Sequence, residues 1–214
     1  MRKLFFYVGC IVFSTLIYGN LKAKGLNPSQ RLSEIESFYA KSKDLQVEFS
    51  QIEINNLLGR KKESSGIIYV IGGEKLFWHT KHPSILKVIS NGKKVWMVEQ
   101  QVFERSWDEL DAQMKVALNL ISGKSDFKKH FKIQWRDQKA CTFELTPLKL
   151  KNIEKMQVEA DCAKKILKQV HFFFPLERQT ILKFQNMQRN TGLEKKHHKK
   201  SLDPQIDRAF NFIK

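Results

Sequence analysis

Beyond residue 18 the chain lacks any apolar run approaching the roughly 20 residues that a helix needs to cross a bilayer. Acidic residues are few: 22 Asp and Glu stand against 38 Lys and Arg, giving a formal net charge of +16. Only three cysteines occur. No G-x-S-x-G, H-E-x-x-H or phosphate-loop pattern is found, which removes the common hydrolase, metalloprotease and nucleotidase readings. No RNP, KH or helix-turn-helix signature accompanies the basic charge, so nucleic acid is not an expected partner. His79 and His82 are three apart and His197-His198 adjacent, but neither pair has the converging further ligands a metal site requires. The sequence therefore predicts no metal, no cofactor and no catalytic residue.

What is present begins at the N-terminus. Arg2 and Lys3 precede 15 uncharged residues, Leu4 to Tyr18, and Gly19, Ala23 and Gly25 follow. A basic start, a short apolar stretch and small residues are the order of a secretory signal peptide, expected to be cut after Ala23 or Gly25, with 1–23 taken as its extent. Cys10 lies inside the apolar stretch with too little hydrophobic sequence before it to act as a lipidation site. Residues 24–214 are expected to form one domain, a length that supports a sizeable core. Export leaves anionic lipid surfaces, acidic proteins and envelope glycans as partners for the positive charge. It also leaves Cys141 and Cys162, an even count that permits one disulfide in an oxidising compartment.

The pattern along the chain predicts an α+β fold. Asn27 or Ser29 can cap a first helix, with Pro28 suited to its first turn. Leu32, Ile35, Phe38 and Tyr39 recur at helical spacing. Leu45, Val47 and Phe49 alternate with polar residues as a strand does, and the phase change at Ile52 and Ile54 predicts a bulge or strand end near Gln51. Residues 57–65 read as a polar loop. Strands are expected at 67–71, 76–80, 85–90 and 94–98, the last two joined by Asn91-Gly92. A two-residue turn there sets Val88 opposite Val95 and Leu86 opposite Met97, with Ile85, Ile89, Trp96 and Val98 on the other face. Leu110, Met114, Ala117, Leu118 and Ile121 form the stripe of a second helix ended by Gly123, and 126–130 adds a further helical turn. Five more strands follow, at 131–135, 141–145, 155–160, 166–174 and 179–184. Pairing 143 with 160 and 145 with 158 brings Cys141 opposite Cys162, predicting a cross-strand disulfide.

Several short segments resemble, in order and spacing, the LolA family of lipoprotein carriers. They are Phe49-Ser50-Gln51, Ser65-Gly66, Lys75-Leu76-Phe77-Trp78-His79 with Pro83, and Ser90-Asn91-Gly92-Lys93 with Trp96. Leu120-Ile121-Ser122-Gly123-Lys124, Phe143-Glu144-Leu145-Thr146-Pro147, Asn190-Thr191-Gly192-Leu193 and Phe210-Asn211-Phe212 continue the series. The resemblance implies an incomplete, strongly curved antiparallel β-barrel whose opening is covered by helices acting as a lid. It also implies a monomeric periplasmic carrier that takes lipoproteins from an inner-membrane Lol-type ABC transporter. The carrier would shield their acyl chains and pass them to an outer-membrane, LolB-like acceptor. A sensor or scaffold on the same fold, binding a partner without shuttling, is the alternative.

Phe49, Leu76, Trp78, Leu86, Val88, Trp96 and Met97 would then line the acyl-chain cavity, although each taken singly reads as core. Leu32 and Ile35 of the first helix, with Leu110, Met114 and Leu118 of the second, would form the underside of the lid. Two features depart from the family. Gly72-Gly73 stand where many members have an Arg-Pro whose arginine hydrogen-bonds to the lid, with Lys75 a neighbouring cation. A basic stretch at 194–208 is longer than usual and reads as a solvated loop, with docking to anionic headgroups or an acidic partner as its functional alternative.

Overall fold

The computed structural model describes residues 26–193 apart from 74, 92–93, 100–101, 107–109, 111 and 151, with 102–106 and 112 described at the backbone only. The expected signal peptide, the basic stretch at 194–208 and Phe210-Asn211-Phe212 lie outside the described residues. Helix α1 spans Pro28–Ala40. Asn27 caps it: its side chain accepts from the Gln30 backbone at 2.8 Å, and Gln30 reaches back to the Asn27 amide at 3.2 Å. This reciprocal pair, with Pro28 opening the helix, fixes the entry of the chain.

Strands β1 (Asp44–Asn55), β2 (Arg60–Ile71), β3 (Lys75–His82), β4 (Leu86–Ser90), β5 (Lys94–Val98) and β6 (Val102–Ser106) follow. Helices α2 (Ala112–Ser122) and α3 (Phe127–His130) come next. The chain closes its described part with β7 (Phe131–Asp137), β8 (Thr142–Pro147), β9 (Lys155–Asp161), β10 (Ile166–Phe174) and β11 (Arg178–Arg189). All eleven strands form one antiparallel sheet in the order β6-β5-β4-β3-β2-β1-β11-β10-β9-β8-β7. The chain thus winds outward from β1 to one edge, crosses through α2 and α3 to the other edge, and winds back to pair β11 with β1. The meander is a barrel left open between β6 and β7.

Laid flat at about 4.8 Å per strand, eleven strands would span roughly 50 Å, far more than short helices can cover. Yet one contiguous buried cluster takes Leu32 and Ile35 from α1, Leu118 from α2, Val88 and Val95 from one wing and Phe143 and Phe172 from the other. The sheet therefore curves around the helices. The fold is α+β, as the residue pattern predicts, and an open curved antiparallel barrel, as the resemblance implies.

The structure corrects five expectations. Residues 57–65 are not a loop: β1 and β2 pair without interruption to Asn55 opposite Arg60, leaving only residues 56–59 as the turn. Ile52 and Ile54 mark neither a bulge nor a strand end; they sit on the face opposite Phe49, paired with Ile181 and Gln179, β1 runs on to Asn55, and the register shift against β11 lies at Gln46/Glu48. A sixth early strand, β6, follows β5 where the residue pattern predicts no element. The β4–β5 hairpin pairs Ser90 with Val95 and Val88 with Met97. Asn91 therefore flanks the turn and its side-chain oxygen accepts from the Lys94 amide at 2.9 Å. That slip preserves parity, so the faces stay as expected and only the partners change. Finally, β8 and β9 pair Phe143 with Val158 rather than Ala160.

Cys141 and Cys162 are nevertheless joined by a disulfide, with Cα atoms 5.8 Å apart. Cys141, at φ 52, and Cys162 both lie just beyond the ladder, in the turns at that end.

Candidate functional site

The inner face of the sheet is apolar because alternate residues of each strand point to it. Phe49, Leu76, Trp78 and Val88 are buried there, with Leu86 and Met97 partly buried against the same cluster. Trp96 does not join them. It pairs with Ile89, which pairs with Phe77, which pairs with Tyr69, and this row occupies the outer face. Pleat alternation decides the point: Trp96 sits between Val95 and Met97, so it must face away from both.

Two aromatic rings organise the inner face. Phe49 and Trp78 lie with ring centroids 4.5 Å apart, and the Trp78 indole donates to the Thr80 hydroxyl at 3.2 Å. Gly66 makes this possible. A Cβ there would collide with the His79 carbonyl oxygen and with the Phe49 ring, so glycine leaves the ring its space.

The helices cover this face. Leu32, Ile35 and Leu118 are buried and Met114 partly so; Leu110, expected on the second helix, instead precedes α2 and is buried beside it, and all five belong to the cluster that holds the six inner-face residues. Gly123 ends α2 with φ 72. The Gly123 amide donates to the Leu120 carbonyl at 3.2 Å and the Lys124 amide to the Asn119 carbonyl at 2.9 Å, a Schellman closure. A Cβ on Gly123 would run into the Ala40 backbone, so this glycine also lets α2 touch the end of α1.

Three polar links, none legible in the sequence, hold α1 down. Glu36, on the buried side of α1, accepts from the Ser125 hydroxyl at 2.6 Å and the Phe127 amide at 2.9 Å. The Tyr39 hydroxyl accepts from the Leu167 amide at 3.0 Å and donates to the Met187 sulfur at 3.2 Å. Burial pushes its phenol well above the ordinary tyrosine value of 10.0. Arg189 donates to the Phe38 carbonyl and the Ser42 hydroxyl, both at 2.7 Å, and lies 3.5 Å over the Phe38 ring. A guanidinium satisfying carbonyls at a helix C-terminus suits the helix dipole; burial lowers its pKa.

A fourth polar centre lies where α1 enters β1. Asp44 is 2% exposed, and its carboxylate accepts from the Thr191 amide and hydroxyl at 2.7 and 2.9 Å and from the Gly192 and Leu193 amides at 3.0 and 3.2 Å. The Asn190 side chain takes the Lys43 amide at 2.9 Å.

Residues 40–200 of the chain match the protein family described as outer membrane lipoprotein carrier protein LolA. The chain belongs to that family. An outer-membrane lipoprotein carrier protein of Coxiella burnetii is 24% identical over 168 residues, 77% of this chain and 76% of that one. One from Dechloromonas aromatica is 28% identical over 106 residues, 48% of this chain, and this chain spans 50% of that relative's length. A crystal structure of a LolA superfamily protein from Nitrosomonas europaea covers 76% of this chain and 93% of its own, at 11% identity and a TM-score of 0.45.

Family membership gives several motifs a physical content. Ser65-Gly66 is the close approach beneath Phe49. Leu120 to Lys124 is the Schellman end of α2. Asn190-Thr191-Gly192-Leu193 is the strap that Asp44 and Lys43 hold. At Gly72-Gly73 the backbone passes the end of α2. A Cβ on Gly73 would stand 3.6 Å from the Ser122 carbonyl oxygen and 3.7 Å from Cε of Lys124. Lys75 is exposed.

Proposed function

We propose that this LolA-family chain carries the acyl chains of lipoproteins across the periplasm, from an inner-membrane transporter to an outer-membrane acceptor. The observation that supports this most is the cover itself. Helices α1 and α2 bury aliphatic side chains against an apolar curved face, and a few named polar links hold α1 in place. Displacing the helices would offer an acyl chain a surface with Phe49, Leu76, Trp78, Leu86, Val88 and Met97 on it.

Burying alkyl chain yields about 0.8 kcal/mol per methylene. The same face already gains from the helix side chains it would release, so the net affinity is a difference between two burials. A carrier needs that balance, because its cargo must be soluble in transit and still leave for the next acceptor. With no arginine at Gly72-Gly73, the α1 half of the proposed lid is held through Glu36, Tyr39 and Arg189.

The decisive experiment incubates the purified protein with spheroplasts of its own species and assays the supernatant for lipoprotein. Release of lipoproteins bound to the protein is expected at micromolar concentration. No release, with a stable complex to an envelope protein instead, would replace carriage by a sensing or scaffolding role on the same fold.

A further inference from the structure

We propose that the rim of the sheet carrying the β1–β2 and β10–β11 turns docks directly on an anionic lipid bilayer, with its leucines entering the headgroup region. The inference goes beyond acyl-chain carriage and does not depend on it.

The exposed large aliphatic residues among those described are Leu57, Leu58, Ile85, Leu148, Leu150 and Leu176, between 38% and 71% exposed. Single exposed leucines mean little. Their placement is what matters. Leu57 and Leu58 are in the β1–β2 turn, Ile85 precedes β4, Leu148 and Leu150 are in the β8–β9 connection, and Leu176 is in the β10–β11 turn. In an antiparallel meander these four connections all lie at the same end of the sheet. The connections at the other end, β2–β3, β4–β5, β7–β8 and β9–β10, carry no exposed large aliphatic residue among the described residues.

The end is also shaped to reach forward. β3 last pairs with β2 at His82 opposite Ser65, whereas β2 continues back to Arg60. Five more residues per strand carry the β1–β2 turn roughly 15 Å past the β3–β4 turn. The neighbouring turn travels with it, since β1 pairs with β11 out to Asn55 opposite Arg178. The Asn56 amide donates to the Glu177 carbonyl at 3.3 Å, tying the two turns together. Leu57, Leu58 and Leu176 thus share one projecting tip.

The charge around them is basic. Arg60, Lys61, Lys62 and Arg178 are exposed at the tip, and Lys81 and Lys149 flank the connections to either side. Glu63 offsets Lys61, 2.6 Å away, and Glu53, Glu177 and Glu154 are also exposed, but the six named cations outnumber these four carboxylates. Aliphatic side chains at the point of a basic projection match a bilayer interface, where leucine enters the headgroup boundary and lysine and arginine meet anionic phosphates. A protein partner would need a complementary acidic groove and would not call for lipid.

The test is co-sedimentation of the mature protein with vesicles of phosphatidylethanolamine and phosphatidylglycerol, against vesicles of phosphatidylcholine alone. Association with the anionic vesicles only, weakening as salt is raised, is expected. Replacing Leu57, Leu58 and Leu176 together with serine should lower the partition coefficient roughly tenfold or more, since lost apolar insertion acts exponentially. A second readout does not depend on that variant folding. A polarity-sensitive fluorophore on Leu58→Cys should shift to the blue on anionic vesicles, while one on Lys139→Cys, in the β7–β8 turn at the opposite end, should not. The proposal is overturned if the parent stays in the supernatant or if the serine variant partitions like the parent. Equal shifts of both fluorophores, or association only with vesicles that contain an envelope membrane protein, would overturn it as well.

Discussion

Glu36 joins α1 to the α2–α3 connection through one carboxylate oxygen that receives both the Ser125 hydroxyl and the Phe127 amide. Hydrogen bonds to a charged acceptor are worth about 1.5–3 kcal/mol each, and removing the acceptor strands two buried donors. Glu36→Ala is therefore expected to cost about 3 kcal/mol in urea unfolding, whereas Glu36→Gln, which keeps the acceptor oxygen, should cost much less. Under the carrier reading the same change has a second, opposite effect. Weakening the covered state makes the uncovered one more populated, so Glu36→Ala should bind a fluorescent fatty acid more tightly, by roughly tenfold for each 1.4 kcal/mol. Equal affinity in both proteins would mean that Glu36 does not control access. Tyr39 gives a pH signature. Its phenol titrates above the unfolded value of 10.0 in the folded chain, so its contribution is complete below that pH and is lost as pH rises through the folded value. Unfolding midpoints should fall above about pH 10, and Tyr39→Phe should flatten that fall.

Elements meet where glycine permits it. Gly123 holds φ 72 and brings α2 against Ala40 at the end of α1. Gly123→Ala adds left-handed strain of about 1–2 kcal/mol and an overlap with backbone that cannot move aside. A loss of at least about 2 kcal/mol is expected, seen as a fall in Tm of roughly 4–8 °C for a chain this long. Calorimetry checks it; an unchanged Tm would show that α1 and α2 can separate freely. The disulfide acts on the second wing, closing a loop of sequence separation 21 across β8 and β9. Reduction is expected to lower stability by about 3 kcal/mol through the unfolded chain's regained freedom, measurable as a shift in urea midpoint with and without reductant.

For the whole molecule, the consequence of an open meander is that one sheet has two different faces to manage. The inner face is covered by helices that the chain places between its edge strands and before β1. The outer face carries a second, smaller buried cluster of Ile67, Tyr69, Phe77 and Ile89, against which Val98 and Leu193 pack. Carriage predicts that only the first cover moves. Hydrogen exchange with and without a bound acyl chain should show α1 and α2 losing protection, while β1, β2 and β11 keep theirs. Uniform protection in both states would argue against a lid.

Much of this was legible in residue order. Helix α1 with its cap, the stripe and glycine stop of α2, most strands and the antiparallel α+β class follow from local periodicity, because side-chain spacing of 3.6 or 2 is written directly into the sequence. The LolA-like motifs likewise sit at consecutive positions. Register was not legible, since Asn91-Gly92 is compatible with more than one closing pair and the ladder beyond it selects Val88 opposite Met97. Nor was the projecting tip: residues 60–65 are polar on both sides, and only pairing with β1 keeps them extended. The links that hold α1 join residues 89 to 151 positions apart, such as Glu36 with Ser125 and Arg189 with Phe38. No local pattern announces such a pair. The sequence by itself determined which residues alternate toward an apolar face and where most elements lie; the curvature of the sheet decided what those faces meet, because only closure in space brings distant polar groups within hydrogen-bonding reach.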